Sequence, residues 1–129
     1  MDNLAIVKAA ESLLEFMVET RRDIHRHPEP STKEFRTQQL IIDELKRIGI
    51  TEIEKYFNTG LAAVVRGGKQ GKTIGIRADM DALMMEENTG LPFTSEVPGV
   101  AHMCGHDGHT AILLATAKVL FDIRNELCG

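Results

Sequence analysis

"GHTAILLATAKVLF", residues 108–121, is the stretch on which the fold turns. At helical spacing its Ile112, Leu113, Leu114, Val119, Leu120 and Phe121 leave almost no polar face, the pattern of a helix that is covered rather than laid on a surface. Immediately upstream, the chain reads as short β-type runs: "TEIEKYF" (51–57), "LAAVVRG" (61–67) and "TIGIRAD" (73–79). "NTG" and the glycine-rich turn "GGKQGK" separate them, so the last two are expected to pair as a hairpin. Strands followed by a covered helix predict an α/β fold, a partial sheet flanked by helices on both faces.

Two further helices are expected ahead of the strands. Ile6, Ala10, Leu13, Leu14, Met17 and Val18 recur at three- and four-residue steps, which predicts one helix over residues 4–26 that Pro28 and Pro30 stop. "STKEF" (31–35) then opens a second, with Ser31 and Glu34 placed for a reciprocal capping box. Phe35, Ile41, Ile42, Leu45 and Ile48 make its apolar stripe, and Gly49 is its expected terminator. Residues 80–104, "MDALMMEENTGLPFTSEVPGVAHMC", show no clear period, and a connection of this length in a compact domain is more often functional than idle.

The totals fit a single unit. A chain of 129 residues, 43% hydrophobic and 26% charged, is ordinary for a folded domain, which excludes disordered and fibrous classes. No apolar run approaches the roughly 18 residues of a membrane span. "MDNLAIVKAAESLLEF" (1–16) lacks a basic opening and a small-residue cleavage site, so a cytoplasmic protein is expected. Net charge is −4 with both signs interspersed, which points to a small-molecule partner and away from nucleic acid or a membrane surface. Two cysteines, Cys104 and Cys128, do not make a disulfide framework.

Chemistry concentrates in "AHMCGHDGH", residues 101–109. Cys104 and His106 stand two apart, a spacing that in a turning backbone sends both side chains to one side. A thiolate and an imidazole suit zinc or a related transition metal better than calcium or magnesium. The next helix begins near Asp107 or Gly108 and offers free N–H groups and positive dipole to the sulfur. Spacing alone leaves two other readings open: a Cys104 nucleophile activated by His106 or His109, and a polar loop with no duty at all. Asp79 and Asp81 follow an apolar run in "RADMDAL", where ligands gather in open α/β sheets, and one of them could orient a metal-bound imidazole. Equally, both could be solvated turn residues. His25 and His27 end a helix and read as structural, and Met80, Met84 and Met85 read as packing.

Taken together, "RRDIHRHPEPSTKEF", "TGLAAVVRG", "IRADMDAL", "ENTGLPF" and "HMCGHDGHTAILL" resemble the metal-dependent N-acyl-amino-acid amidohydrolases, the family of hippurate hydrolase, bacterial aminoacylases and plant auxin-conjugate hydrolases. The resemblance runs in order over nearly the whole chain and implies the N-terminal part of a dinuclear metallopeptidase-like catalytic domain over residues 1–129. It implies metal-ligand roles for Cys104 and His106, with Cys104 bridging two divalent ions (Mn, Zn, Co or Ni), and a supporting role for Asp81. Asp79 and His109 lie in the motifs without a defined role. The implied substrate is a small N-acyl amino acid, and full-length relatives are implied to be homodimers.

The departures shape the expectation as much as the matches. Family members continue with a paired-glutamate motif that supplies the general base and a ligand, then with further histidine ligands and a satellite dimerisation domain. No histidine follows His109 here, and Glu126, expected within the terminal helix, does not match the base. Met84 stands where proline is common. The isolated chain is therefore expected to be inactive; the alternatives are a non-catalytic metal-binding or interaction module and, third, a thiol hydrolase.

Overall fold

The computed structural model describes residues 3–129; Met1 and Asp2, the first residues of the expected domain, lie outside the described residues. The elements are α1 (Asn3–Glu11), α2 (Leu14–Arg26), α3 (Phe35–Ile48), β1 (Ile53–Tyr56), β2 (Gly60–Ala63) and α4 (His106–Asp122), with a 3-10 turn at Arg124–Glu126. Helices and a small sheet share one core, the α/β character that the pattern implies. Leu45, Ile50 and Leu114 are its buried centre, with Phe16, Ile41, Ile53, Leu61 and Phe121 packed around them. α4 lies across α2 most extensively and also meets α1 and α3.

Four local expectations change, each for a visible reason. The helix over 4–26 is two helices, because the Leu13 N–H bonds three residues back to Ala10 and the Ser12 hydroxyl turns onto the Ala9 carbonyl at 2.7 Å. The capping box of Ser31 and Glu34 does not form. Glu34 is buried and accepts from the Thr59 hydroxyl at 2.6 Å, and the α3 N-terminus is capped by Glu29, which takes the N–H groups of Arg36 (2.9 Å) and Thr37 (2.7 Å). The hairpin joins residues 53–56 to 60–63, antiparallel, from Ile53 opposite Ala63 to Tyr56 opposite Gly60. It does not join 61–67 to 73–79, because Gly67 and Lys69 of the glycine-rich turn donate to the carbonyls of Gly129 and Leu127. Glu126 lies in the 3-10 turn, past the end of α4.

Gly49 ends α3 in the left-handed region (φ 105°), as expected of that position. A Cβ there would also stand 2.9 Å from the Phe121 ring, so the glycine serves both the helix end and the approach of α4. The long connection is pinned at two points: Ala82 bridges Pro30, and Leu83 exchanges both backbone bonds with Ala101 at 2.9 Å. Those bridges bring residues 79–81 alongside the start of α4.

Candidate metal centre

Cys104, Gly105 and His106 form the corner that opens α4. Gly105 caps the helix in the left-handed region (φ 86°), a conformation that costs a side-chain-bearing residue, and this turn sets Cys104 outside the helix and His106 at its first position. Cys104 is exposed and unpaired in a disulfide. His106 is partly buried, and its Nδ1–H donates to the Asp81 carboxylate at 2.9 Å and to the Asp81 carbonyl at 3.0 Å. A carboxylate and a carbonyl can only accept, so in the neutral ring the proton sits on Nδ1 and the Nε2 lone pair can bind a cation. The donor set, one thiol and one imidazole of fixed tautomer, fits a divalent transition metal. It is a partial set: among the described residues no group of three His, Cys, Asp or Glu converges to hold an ion.

The neighbouring motif residues are placed as follows. The Asp79 carboxylate accepts from Arg77 Nε at 2.8 Å, and its carbonyl accepts from the Thr110 hydroxyl. His109 is exposed, its ring centroid 5.8 Å from that of His106. A cleft of about 1270 Å³ is lined by Asp79, Asp81 and His106 together with Leu45, Leu61 and Leu114.

Behind this corner lies a buried polar cluster that motif reading did not find. Asp107 is fully buried and its Oδ2 accepts from His25 Nδ1 at 2.7 Å and from Arg21 Nε at 3.1 Å. The opposite nitrogen of His25, Nε2, faces Glu87 Oε1 at 3.0 Å. His25 is thus held between two carboxylates and is not a solvated helix-end imidazole. Burial by itself pushes the Glu87 carboxyl up, but hydrogen bonds from Thr89, His25 and the Ser95 N–H outweigh it and hold the group at about 2. Burial likewise opposes ionisation of Asp107, yet His25, the Gly108 N–H and Arg21 keep it below the usual carboxylate range. His102 is buried beside His25, ring centroids 6.2 Å apart, and burial holds it below the ordinary imidazole value despite the charge on Asp107. Among the described residues, neither His102 nitrogen nor Asp107 Oδ1 has a hydrogen-bond partner. One sequence signal pointed here: Arg21 and His25, four apart, share a face of α2 and meet the same oxygen.

Residues 75–128 match the peptidase family M20/M25/M40. The thermostable carboxypeptidase 1 of Saccharolobus solfataricus is 44% identical over 117 residues, which is 89% of this chain and 30% of that protein. The N-acyl-L-amino acid amidohydrolase of Geobacillus stearothermophilus is 43% identical over 109 residues, 84% of this chain and 30% of that one. Among solved structures, the Bacillus subtilis YXEP protein, described as a dinuclear metal binding peptidase from the M20 family, matches with a TM-score of 0.88 at 41% identity, covering 92% of this chain and 34% of its own. The chain therefore spans about 30% of the length of the curated relatives it matches.

Proposed function

We propose that this chain, whose residues 75–128 match the peptidase family M20/M25/M40, is the N-terminal part of a member of that family and supplies the first two metal ligands, Cys104 and His106, of an amidohydrolase that cleaves the amide bond of N-acyl amino acids. The observation that carries the proposal is the Asp81–His106 pair, which leaves one imidazole nitrogen ready for a cation at the mouth of α4. Cys104 directly precedes the Gly105 cap, beside the positive end of the same helix. Two divalent ions, when bound, would acidify a water and polarise the amide carbonyl.

The residues of this chain then have limited duties. Cys104 and His106 bind, Asp81 fixes the tautomer and direction of His106, and the leucine-lined cleft beside them offers apolar surface. The chain spans about 30% of the length of its curated relatives, and among the described residues no third His, Cys, Asp or Glu joins the pair to hold an ion. We accordingly propose that the chain by itself does not turn over substrate. A cytoplasmic location belongs to the same proposal, on the two free thiols that a reducing compartment preserves; no helix among the described residues is long and apolar enough to cross a membrane.

Elemental analysis after equilibration with manganese, zinc or cobalt, run beside an assay against a panel of N-acyl amino acids, tests both halves. Bound metal that disappears in Cys104→Ala, with no hydrolysis, is the expected result. Metal content unaffected by Cys104→Ala would remove the site, and turnover abolished by that substitution would remove the claim of inactivity.

A further inference from the structure

We propose that His25 is a positioning residue for this metal centre, one that acts through Asp107 to hold the first turn of α4, and with it His106, in its binding pose. The inference rests on the reading of Cys104 and His106 as ligands. His25 belongs to α2, Asp107 to α4 and Glu87 to the connection between the sheet and α4, and the three side chains are 5%, 1% and 2% exposed. A single ring therefore joins three segments far apart in sequence, through contacts of 2.7 Å and 3.0 Å. Asp107 directly follows His106, so whatever fixes Asp107 fixes the backbone from which His106 projects. The ring of His106 is held from the other side by Asp81. It thus has two anchors, Asp81 at the imidazole and the Asp107–His25 pair at its backbone.

Arg21 cannot replace His25 in this role. It reaches the same Asp107 oxygen at 3.1 Å, but its side chain is 50% exposed and its charge is screened by water. Without His25, Asp107 would keep a carboxylate buried with its main buried donor gone, a state relieved by turning toward solvent. Such a turn rotates the first residues of α4 and draws His106 off Asp81. The rest of α4 is held independently by the burial of Ala111, Leu114 and Ala115, so the effect stays at the site and the fold persists.

Cobalt(II) titration of the 129-residue chain, followed by its thiolate-to-cobalt charge-transfer absorption, separates positioning from simple packing. His25→Leu should keep the far-ultraviolet circular dichroism of the parent and bind cobalt at least tenfold more weakly, the scale on which partners of ligating histidines act. His25→Gln, which keeps an N–H donor for Asp107, should recover part of the loss, and His27→Leu should change nothing. Asp107→Asn supplies a second arm if His25→Leu does not fold, and the double substitution His25→Gln with Asp107→Asn should be no weaker than the worse single change. Folded His25 and Asp107 variants that bind within twofold of the parent would overturn the inference while leaving the metal site in place. A parent chain that shows no thiolate-to-cobalt absorption would overturn both.

Discussion

His106 and Asp81 share a 2.9 Å hydrogen bond that, in the neutral ring, places the proton on Nδ1 and the lone pair on Nε2. Asp81→Ala removes the carboxylate but not the Asp81 carbonyl, which still accepts at 3.0 Å. The tautomer should then be kept by one bond instead of two, and metal affinity should fall about tenfold, the lower end of the range for such partners. Competition with a chelator of known affinity reads the change, and affinity equal to that of the parent would show that the carbonyl suffices. Asp79→Ala, whose carboxylate accepts from Arg77, should leave affinity unchanged in the same experiment.

Glu87 gives the protein a defined acid limb. Its carboxyl is depressed from 4.5 to about 2 in the folded chain, so on acidification the unfolded chain takes up that proton first. The stabilisation is complete above about pH 4.5 and is lost as pH falls toward 2. Given a side chain 2% exposed, the amount is on the order of 1–3 kcal/mol. Urea unfolding at a series of acid pH values should show Glu87→Gln less stable than the parent at neutral pH and converging with it at the acid end of that window. Parallel curves throughout would mean that the pairing with His25 and Thr89 contributes nothing.

Two glycines in the left-handed region should respond unequally to alanine. At Gly105 (φ 86°) the nearest neighbour of an added Cβ is His109 Nε2 at 3.9 Å, ordinary contact, so only the backbone cost of about 1 kcal/mol applies. At Gly49 (φ 105°) the same cost is joined by a 2.9 Å approach to the Phe121 ring, which must shift within the core; overpacking of that kind adds about 1–3 kcal/mol. Thermal melts should therefore rank Gly49→Ala well below Gly105→Ala. The reverse order would place the close packing of α4 somewhere other than at this residue.

α3 was legible in the sequence because periodicity and terminators act locally: the stripe from Ile41 to Ile48 and the stop at Gly49 appear where the pattern puts them. The spacing of Cys104 and His106 raised the proposal of a metal corner, and the structure places the two on either side of the Gly105 cap at the start of α4. What the sequence concealed was non-local. Glu29 caps α3 from outside the usual capping position, and Asp107 meets His25 across 82 positions, pairings that no window along the chain contains. The strand pairing failed for a related reason: the turn at 67–72 has hairpin composition, but its backbone is taken up by residues 124–129. Local glycine content identifies a turn and cannot say which partner the flanking backbone will choose.

The substituted cap offers the sharpest test of that distinction. Glu29 accepts three hydrogen bonds at the start of α3: the Arg36 N–H at 2.9 Å, the Thr37 N–H at 2.7 Å and the Thr37 hydroxyl at 2.7 Å. These are the second and third positions of the helix, the donors that an N-cap side chain ordinarily serves, and a carboxylate there also meets the positive end of the dipole. Glu29→Ala should cost about 1–2 kcal/mol, within the range for loss of a cap. Ser31→Ala, which a capping box would make equally costly, should fall within about 0.5 kcal/mol of the parent, as surface changes do. Chemical denaturation of the two variants side by side decides the matter: a destabilised Ser31→Ala beside an unaffected Glu29→Ala would restore the reciprocal Ser31–Glu34 cap and remove Glu29 from the helix terminus.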